Sequence, residues 1–163
     1  MKQNIMEKTK FIVIRDYCNQ GKTTTIWLLL KRLHDDGAVI KVLQDMNEND
    51  IEMPEEIPVR ENMKDVWAVL EWRDLIIVLD SRGDYVRNLE HDIRYAIKNH
   101  NPDFMVCAVQ ERPNNNNIWN NFNWKFPNTK YGRVCFWVEH AENEADAHLV
   151  KQPTLEAVMK YMR

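Results

Sequence analysis

The sequence predicts one α/β domain, a three-layer sandwich in which helices cover both faces of a mainly parallel sheet that includes one antiparallel hairpin. Short apolar, β-branched runs alternate with segments whose apolar residues recur at helical spacing. Two of the runs are joined by only Arg73 and Asp74, which is hairpin spacing. The chain has 163 residues, 44% of them hydrophobic, and no linker, so residues 1–163 are predicted to form a single domain.

Each element is predicted from a local pattern. Six apolar runs are predicted as strands: 11–14, 38–43, 65–72, 75–80, 104–109 and 133–139. Three segments with a helical apolar period are predicted as helices: 26–33, 86–97 and 153–162. Gly37 terminates the first helix, Pro102 stops the second and Pro153 opens the third. The remaining segments are predicted loops, chiefly 45–62 and 110–131, while 140–152 match neither pattern.

Charge and cysteine content favour a cytoplasmic protein without a membrane or nucleic-acid partner. The net charge is −3 and the pI is about 6.0, so no global attraction to nucleic acid or anionic lipid is expected. The longest clean apolar run, 26–30, is far shorter than the ~20 residues of a membrane span, and the N-terminus lacks a secretory apolar region. Cys107 and Cys135 lie within apolar runs, as reduced cysteines do.

A strand, a polar turn and a helix surround the tripeptide Gly21-Lys22-Thr23. This arrangement resembles the Walker A phosphate loop of P-loop NTPases, which implies a P-loop NTPase-like sandwich. The resemblance implies that Lys22 contacts the β- and γ-phosphates and that the Thr23 hydroxyl binds Mg²⁺. The backbone cradle for the nucleotide would come from six residues: Asn19, Gln20, Gly21, Lys22, Thr23 and Thr24.

A second acidic position follows the most hydrophobic strand, which ends at Asp80. The continuation to Gly83 resembles the D-x-x-G motif of GTPases, which implies that Asp80 holds Mg²⁺ together with Thr23 and that Gly83 contacts the γ-phosphate. Lys22 and Asp80 are therefore predicted as catalytic residues, as is Arg82, which would neutralise the transition state. Two further candidates for that cation are Arg112 and Arg133. The alternative for Asp80 is a strand-end aspartate that caps a turn.

Two departures shape the predicted function. Asp16 occupies the first glycine position of the phosphate loop, and residues 129–132 lack the aspartate of a guanine-specificity motif. We therefore expect binding of Mg²⁺ and ATP, with GTP as the weaker option, and phosphoryl transfer or hydrolysis by an NTPase or kinase. The alternative is a degenerate phosphate loop in a switch or scaffold protein that binds a partner without turnover.

Residues 112–131 contain eight asparagines and five aromatic residues. They are predicted to form a lid or a partner-binding loop, in which Trp119 and Trp124 would contact a nucleobase, a small molecule, a protein or single-stranded nucleic acid. The net charge disfavours nucleic acid. The alternative is that the aromatic side chains pack the loop onto the sheet while asparagines supply turns.

Two other polar groups have weaker patterns. Asp45 closes a strand and either contributes to the cleft or is a solvated loop acid. The acids and histidines at 139–148 do not match the spacing of a metal site, so a solvated polar turn is predicted there.

Overall fold

A six-stranded mixed sheet and four helices make up the computed structural model, which describes residues 6–16, 22–55, 64–82, 86–110, 117–137 and 144–163. The strands are β1 (Lys10–Asp16), β2 (Val39–Gln44), β3 (Trp67–Trp72), β4 (Leu75–Asp80), β5 (Phe104–Gln110) and β6 (Arg133–Trp137). The helices are α1 (Lys22–Asp35), α2 (Val86–His100), α3 (Asn117–Lys125) and α4 (Glu144–Tyr161). The spatial order of the strands is β2-β3-β4-β5-β1-β6.

The sheet is mainly parallel, as the sequence predicts. Neighbouring strands pair parallel from β4 through β5 and β1 to β6, whereas β3 pairs antiparallel with both β2 and β4. The predicted β3–β4 hairpin is confirmed: both turn residues have positive φ, 50° at Arg73 and 64° at Asp74. A two-residue turn of this kind matches the twist of paired strands and fixes their register, which pairs Trp67 with Asp80.

Helices cover both faces of the sheet, which confirms the predicted layering. Alternate strand residues point to opposite faces. Ile12 and Ile14 of β1 belong to a core with α1 and α4, whereas Phe11 and Val13 belong to a second core with α2 and α3. The first face is called the α1 face below and the second the α2 face. Among the described residues, no helix has the length and apolar character needed to cross a membrane.

The end of α1 confirms the role predicted for Gly37. This glycine has φ of 95°, and its amide donates to the His34 carbonyl at 3.0 Å. The Ala38 amide donates to the Leu33 carbonyl at 2.9 Å. These two bonds form a Schellman motif, which needs a left-handed residue at this position and so favours glycine.

The prediction that 110–131 is loop throughout was wrong, because α3 lies inside it. Asparagine is a poor helix former, so local propensity argues against a helix in this segment. Phe122 and Phe126 stand one helical turn apart, and each is only 2% exposed on the α2 face. Their burial stabilises a helix that the composition disfavours.

The predicted start of the last helix at Pro153 was also wrong. Helix α4 begins at Glu144 and contains Pro153 in its interior, so part of the predicted polar turn is helical. A proline inside a helix loses one backbone hydrogen bond. Leu155, Val158 and Met159 are each at most 4% exposed in the core of the α1 face, and this burial offsets that loss.

Candidate functional site

The described residues of the predicted site lie near one edge of the sheet. The parallel strands β1, β4, β5 and β6 all end at this edge, and the antiparallel strand β3 begins there. Ligands of α/β proteins bind outside the carboxyl ends of parallel strands. Helix α1 begins at Lys22, six residues after β1 ends at Asp16, so its positive N-terminal end follows this edge. The predicted cradle residues Asn19, Gln20 and Gly21 lie outside the described residues.

The start of α1 is attached to the segment that leads into β3. The Thr23 hydroxyl donates to Oδ1 of Asp65 at 3.1 Å. One turn further on, the indole N–H of Trp27 donates to the Lys64 carbonyl at 2.9 Å. Lys22 is 8% exposed, so its aliphatic chain is enclosed at this end of the helix.

Ser81 completes a connected set of oxygen atoms at this edge. Its hydroxyl donates to Asp65 Oδ1 at 2.9 Å and accepts the Val66 amide at 2.8 Å. The Ser81 amide donates to the Val66 carbonyl at 3.1 Å, which extends the hairpin pairing by one residue. Thr23, Asp65 and Ser81 are called the hydroxyl–carboxylate cluster below.

Asp80 lies in a different cluster. It is fully buried, and its Oδ1 accepts the Arg82 amide at 2.9 Å. The Arg82 guanidinium donates to Asp92 Oδ1 at 2.7 Å and lies 3.7 Å from Asp80 Oδ1. The Oδ2 atoms of Asp80 and Asp92 accept no hydrogen bond from the described residues. Asp80, Arg82 and Asp92 are called the buried acid–arginine cluster.

Burial raises the pKa of Asp80 well above its ordinary value, and the neighbouring carboxyl group of Asp92 raises this pKa further. The amide and guanidinium of Arg82 act in the opposite direction. The ion pair between Arg82 and Asp92 holds the Arg82 guanidinium against α2.

Strand alternation explains why the two predicted magnesium ligands are not paired. Asp80 follows Val78 on the α2 face, whereas Ser81 follows Leu79 on the α1 face. The hydroxyl of Thr23, at the start of α1, donates to Asp65, whereas Asp80 points to the α2 face. Sequence reasoning missed Asp65. The two-residue turn fixes the register of β3 and β4, and in this register Trp67 pairs with Asp80. The hairpin in the sequence therefore indicates that the residues just before β3 lie opposite Ser81.

The other predicted cations have partners within the fold. Arg82 pairs with Asp92. Arg133 donates to the side chain of Asn123 and to the carbonyl of Phe126, which ties β6 to α3. Arg112 and Gly83 lie outside the described residues.

The aromatic residues of the segment 112–131 divide into two groups. Phe122 and Phe126 pack on the ring of Phe11, with centroid separations of 5.2 and 5.6 Å, so packing onto the sheet is confirmed for these two. Trp124 is 76% exposed on α3. Trp119 is half-buried and stacks on Phe122 with a centroid separation of 5.8 Å.

The weaker polar candidates show local roles. Asp45 Oδ1 accepts the amides of Asn47 and Asn49 at 2.9 and 3.0 Å, and these bonds lower its pKa. The carboxylate therefore closes a loop turn. Residues 138–143 lie outside the described part of the chain, as do the side chains of 144–150. Among the described residues, no three histidine, cysteine or acidic side chains gather in a metal-binding group.

Comparison of the chain with known protein families, with curated proteins and with solved structures found no match.

Proposed function

We propose that this chain binds a magnesium–nucleoside triphosphate at the start of α1 and transfers or hydrolyses its terminal phosphoryl group. The observation that carries the proposal is the hydroxyl–carboxylate cluster. It places the Thr23 hydroxyl and the Asp65 carboxylate in hydrogen-bond contact, directly after Lys22, at the positive end of a helix. Phosphoryl transfer requires chiefly positioning and charge neutralisation.

The donor set of this cluster fits Mg²⁺. The ion takes oxygen ligands, keeps several waters, and is bound in proteins by one or two carboxylates together with substrate phosphates. Thr23 and Asp65 would hold it, and Ser81 fixes the orientation of Asp65 through a 2.9 Å hydrogen bond. When bound, the ion would supply charge neutralisation for the terminal phosphates. The sequence predicts this role for Asp80, and Asp65 is the alternative that we propose.

The remaining residues have roles that follow from their positions. Lys22 supplies a positive charge to the phosphates, and the amides at the start of α1, including those of Thr23 and Thr24, donate to phosphate oxygens. Asn19, Gln20 and Gly21 would complete the cradle, and Gly83 would contact the terminal phosphate. In this structure Arg82 is bound to Asp92, so its predicted catalytic role requires that ion pair to open.

ATP is favoured over GTP because residues 129–132 lack the guanine-specificity aspartate. The experiment is thermal unfolding with Mg²⁺–ATP, with Mg²⁺–GTP and without nucleotide. A ligand that binds only the native state stabilises it by about 2.7 kcal/mol at one hundred times its dissociation constant. We expect a clear rise in Tm with ATP and a smaller rise with GTP.

Lys22→Ala should abolish the rise in Tm. The matched control is Lys31→Ala, which removes an exposed lysine from the same helix, whose partner is Asp35 at 3.2 Å. This control should keep the full shift. The proposal is contradicted if millimolar nucleotide does not raise the Tm of the native chain. It is also contradicted if Lys22→Ala and Lys31→Ala lose the rise in Tm equally. Release of inorganic phosphate then separates hydrolysis from binding alone.

A second candidate function is partner binding without turnover, which the 76% exposure of Trp124 favours. In that case nucleotide would shift the Tm, but no phosphate would be released over hours. Binding of the partner would then be lost in the Trp124→Ala variant.

A further inference from the structure

Arg15 and two tryptophans form a stack at the end of β1. The guanidinium carbon of Arg15 lies 3.7 Å from the centroid of the Trp119 ring and 4.5 Å from that of Trp137. Trp119 in turn stacks on the buried Phe122 with an interplanar angle of 23°. These contacts give a continuous series of planar groups, from Phe122 in the core to Trp137 at the surface. This series is called the arginine–tryptophan stack below.

The outer member of the stack, Trp137, is partly exposed. Trp137 is 46% exposed, whereas Trp27, Trp67 and Trp72 are each at most 6% exposed. The cation–π contact with Arg15 restrains the indole ring, so little side-chain entropy is lost when a second planar group covers it. A restrained, exposed indole is well suited to stacking on a flat aromatic ligand.

The position of Trp137 relates this stack to the proposed phosphate site. Trp137 pairs in register with Arg15, one residue before β1 ends at Asp16, and both strands end at the site edge. The chain then leads within six residues to Lys22. The exposed indole therefore lies one strand away from the strand that feeds the start of α1. Because Arg15 follows Val13 on the α2 face, a nucleotide bound at both places would cross the edge of the sheet from that face to the start of α1.

Trp124 provides a useful contrast. Helix α3 starts near the site edge, because Trp119 contacts Arg15 at the end of β1. It ends near the opposite edge, because Phe126 contacts Phe11 near the start of β1. Trp124 precedes Phe126 by two residues and so lies away from the site edge, although it is the more exposed tryptophan.

We propose that the exposed face of Trp137, held by Arg15 and Trp119, is the seat of the nucleobase. This inference rests on the proposed function, since it places the base of the same nucleotide whose phosphates lie at Lys22. Base–aromatic stacking is independent of base identity, so this seat adds affinity for a nucleotide over a bare polyphosphate. A longer single strand of nucleic acid is not favoured, because the net charge is −3.

The experiment compares Mg²⁺–ATP with Mg²⁺–tripolyphosphate, which has the phosphate chain but no base. Both are titrated by calorimetry into the native chain and into Trp137→Ala, Trp137→Phe and Trp124→Ala. Native protein should bind ATP more tightly than tripolyphosphate by on the order of tenfold or more. Trp137→Ala should remove most of that difference and leave tripolyphosphate affinity unchanged. Trp137→Phe should keep part of it, and Trp124→Ala should keep all of it.

Full ATP preference in Trp137→Ala overturns the inference, and so do three other results. Equal affinity of the native chain for the two ligands does so without any variant. An equal loss of both ligands in Trp137→Ala, or a loss of ATP preference in Trp124→Ala that matches it, also does so. If native protein binds neither ligand, the proposed function itself fails. Tight tripolyphosphate binding without ATP preference leaves the phosphate site standing and rejects only the base seat.

Discussion

Two polar clusters meet the end of β4 on opposite faces of the sheet. One contains Asp80, and the other contains the next residue, Ser81. The hydroxyl–carboxylate cluster joins Thr23, Asp65 and Ser81 through neutral hydroxyl groups. The buried acid–arginine cluster places Asp80, which is fully buried, beside a guanidinium and a second carboxyl group. The first offers a carboxylate at the start of α1, and the second is enclosed and pairs its carboxyl groups with a guanidinium.

The difference shows how strand alternation separates roles at one strand end. An acid at the end of a hydrophobic strand is a natural candidate for a metal ligand, but its face decides what it can reach. Asp80 points to the face of α2, where its carboxyl group accepts the Arg82 amide and lies beside the Arg82–Asp92 pair, whereas Ser81 points to α1 and orients Asp65. Three substitutions test this division, beginning with the largest expected effect.

Arg82→Met should be the most destabilising change. It leaves Asp80 and Asp92 buried without their cation, and breaking a buried ion pair typically costs about 3 to 5 kcal/mol. Urea unfolding at pH 7 measures the loss. Lys31→Met is the control, because its pair with Asp35 is exposed and should cost less than about 1 kcal/mol. A loss for Arg82→Met no larger than this control would show that the cluster is not a buried charge balance.

Ser81→Ala should have a smaller effect on stability and a specific effect on binding. It leaves the Val66 amide without its acceptor, which costs about 1 to 3 kcal/mol for a buried donor. It also frees Asp65 from one of its hydrogen bonds, so Mg²⁺–ATP affinity should fall several-fold, as a Tm titration would show. Ser81→Thr keeps the hydroxyl and should retain both properties. Unchanged affinity of Ser81→Ala for Mg²⁺–ATP would show that Ser81 does not orient Asp65 for nucleotide binding.

Asp80→Asn should alter the pH dependence of stability. The pKa of Asp80 is raised from 3.8 in the folded chain, so the native state keeps its proton after the unfolded state has lost it. The stability contributed by this proton is complete below about pH 4 and is lost as pH rises through the raised pKa. Relative to Asp80→Asn, the native chain should lose up to about 1.4 kcal/mol per pH unit in that window.

Unfolding by guanidinium chloride between pH 4 and 8, without nucleotide, measures the difference in stability between the native chain and Asp80→Asn. Asp36 and Asp45 have lowered pKa values, but they are present in both proteins and cancel in the comparison. Parallel stability curves for the two proteins would show that Asp80 titrates normally.

Local chemistry was enough to predict much of the fold. The hairpin followed from Arg73 and Asp74, and the end of α1 followed from Gly37, because each position has a backbone requirement that few residues meet. Helix α3 could not be predicted in this way. Its asparagines disfavour a helix, and only the burial of Phe122 and Phe126 against β1 stabilises it.

The candidate site was predicted in part for the same reason. The tripeptide that contains Lys22 and Thr23 predicts the start of a helix from local sequence, independently of how the strands pair. The partner of Thr23 depends on which strand lies opposite and on which face a side chain occupies. Asp65 opens a predicted strand and carries no motif, so its place at the site edge follows only from the antiparallel pairing of β3.

The most direct test of the central claim is a calorimetric titration of Mg²⁺–ATP into the native chain, Asp65→Asn and Asp80→Asn. The account predicts that the native chain binds, that Asp65→Asn loses at least about tenfold in affinity, and that Asp80→Asn binds as the native chain does. Native affinity in Asp65→Asn together with lost affinity in Asp80→Asn would contradict it, and would place the metal at the strand-end aspartate that the sequence predicts.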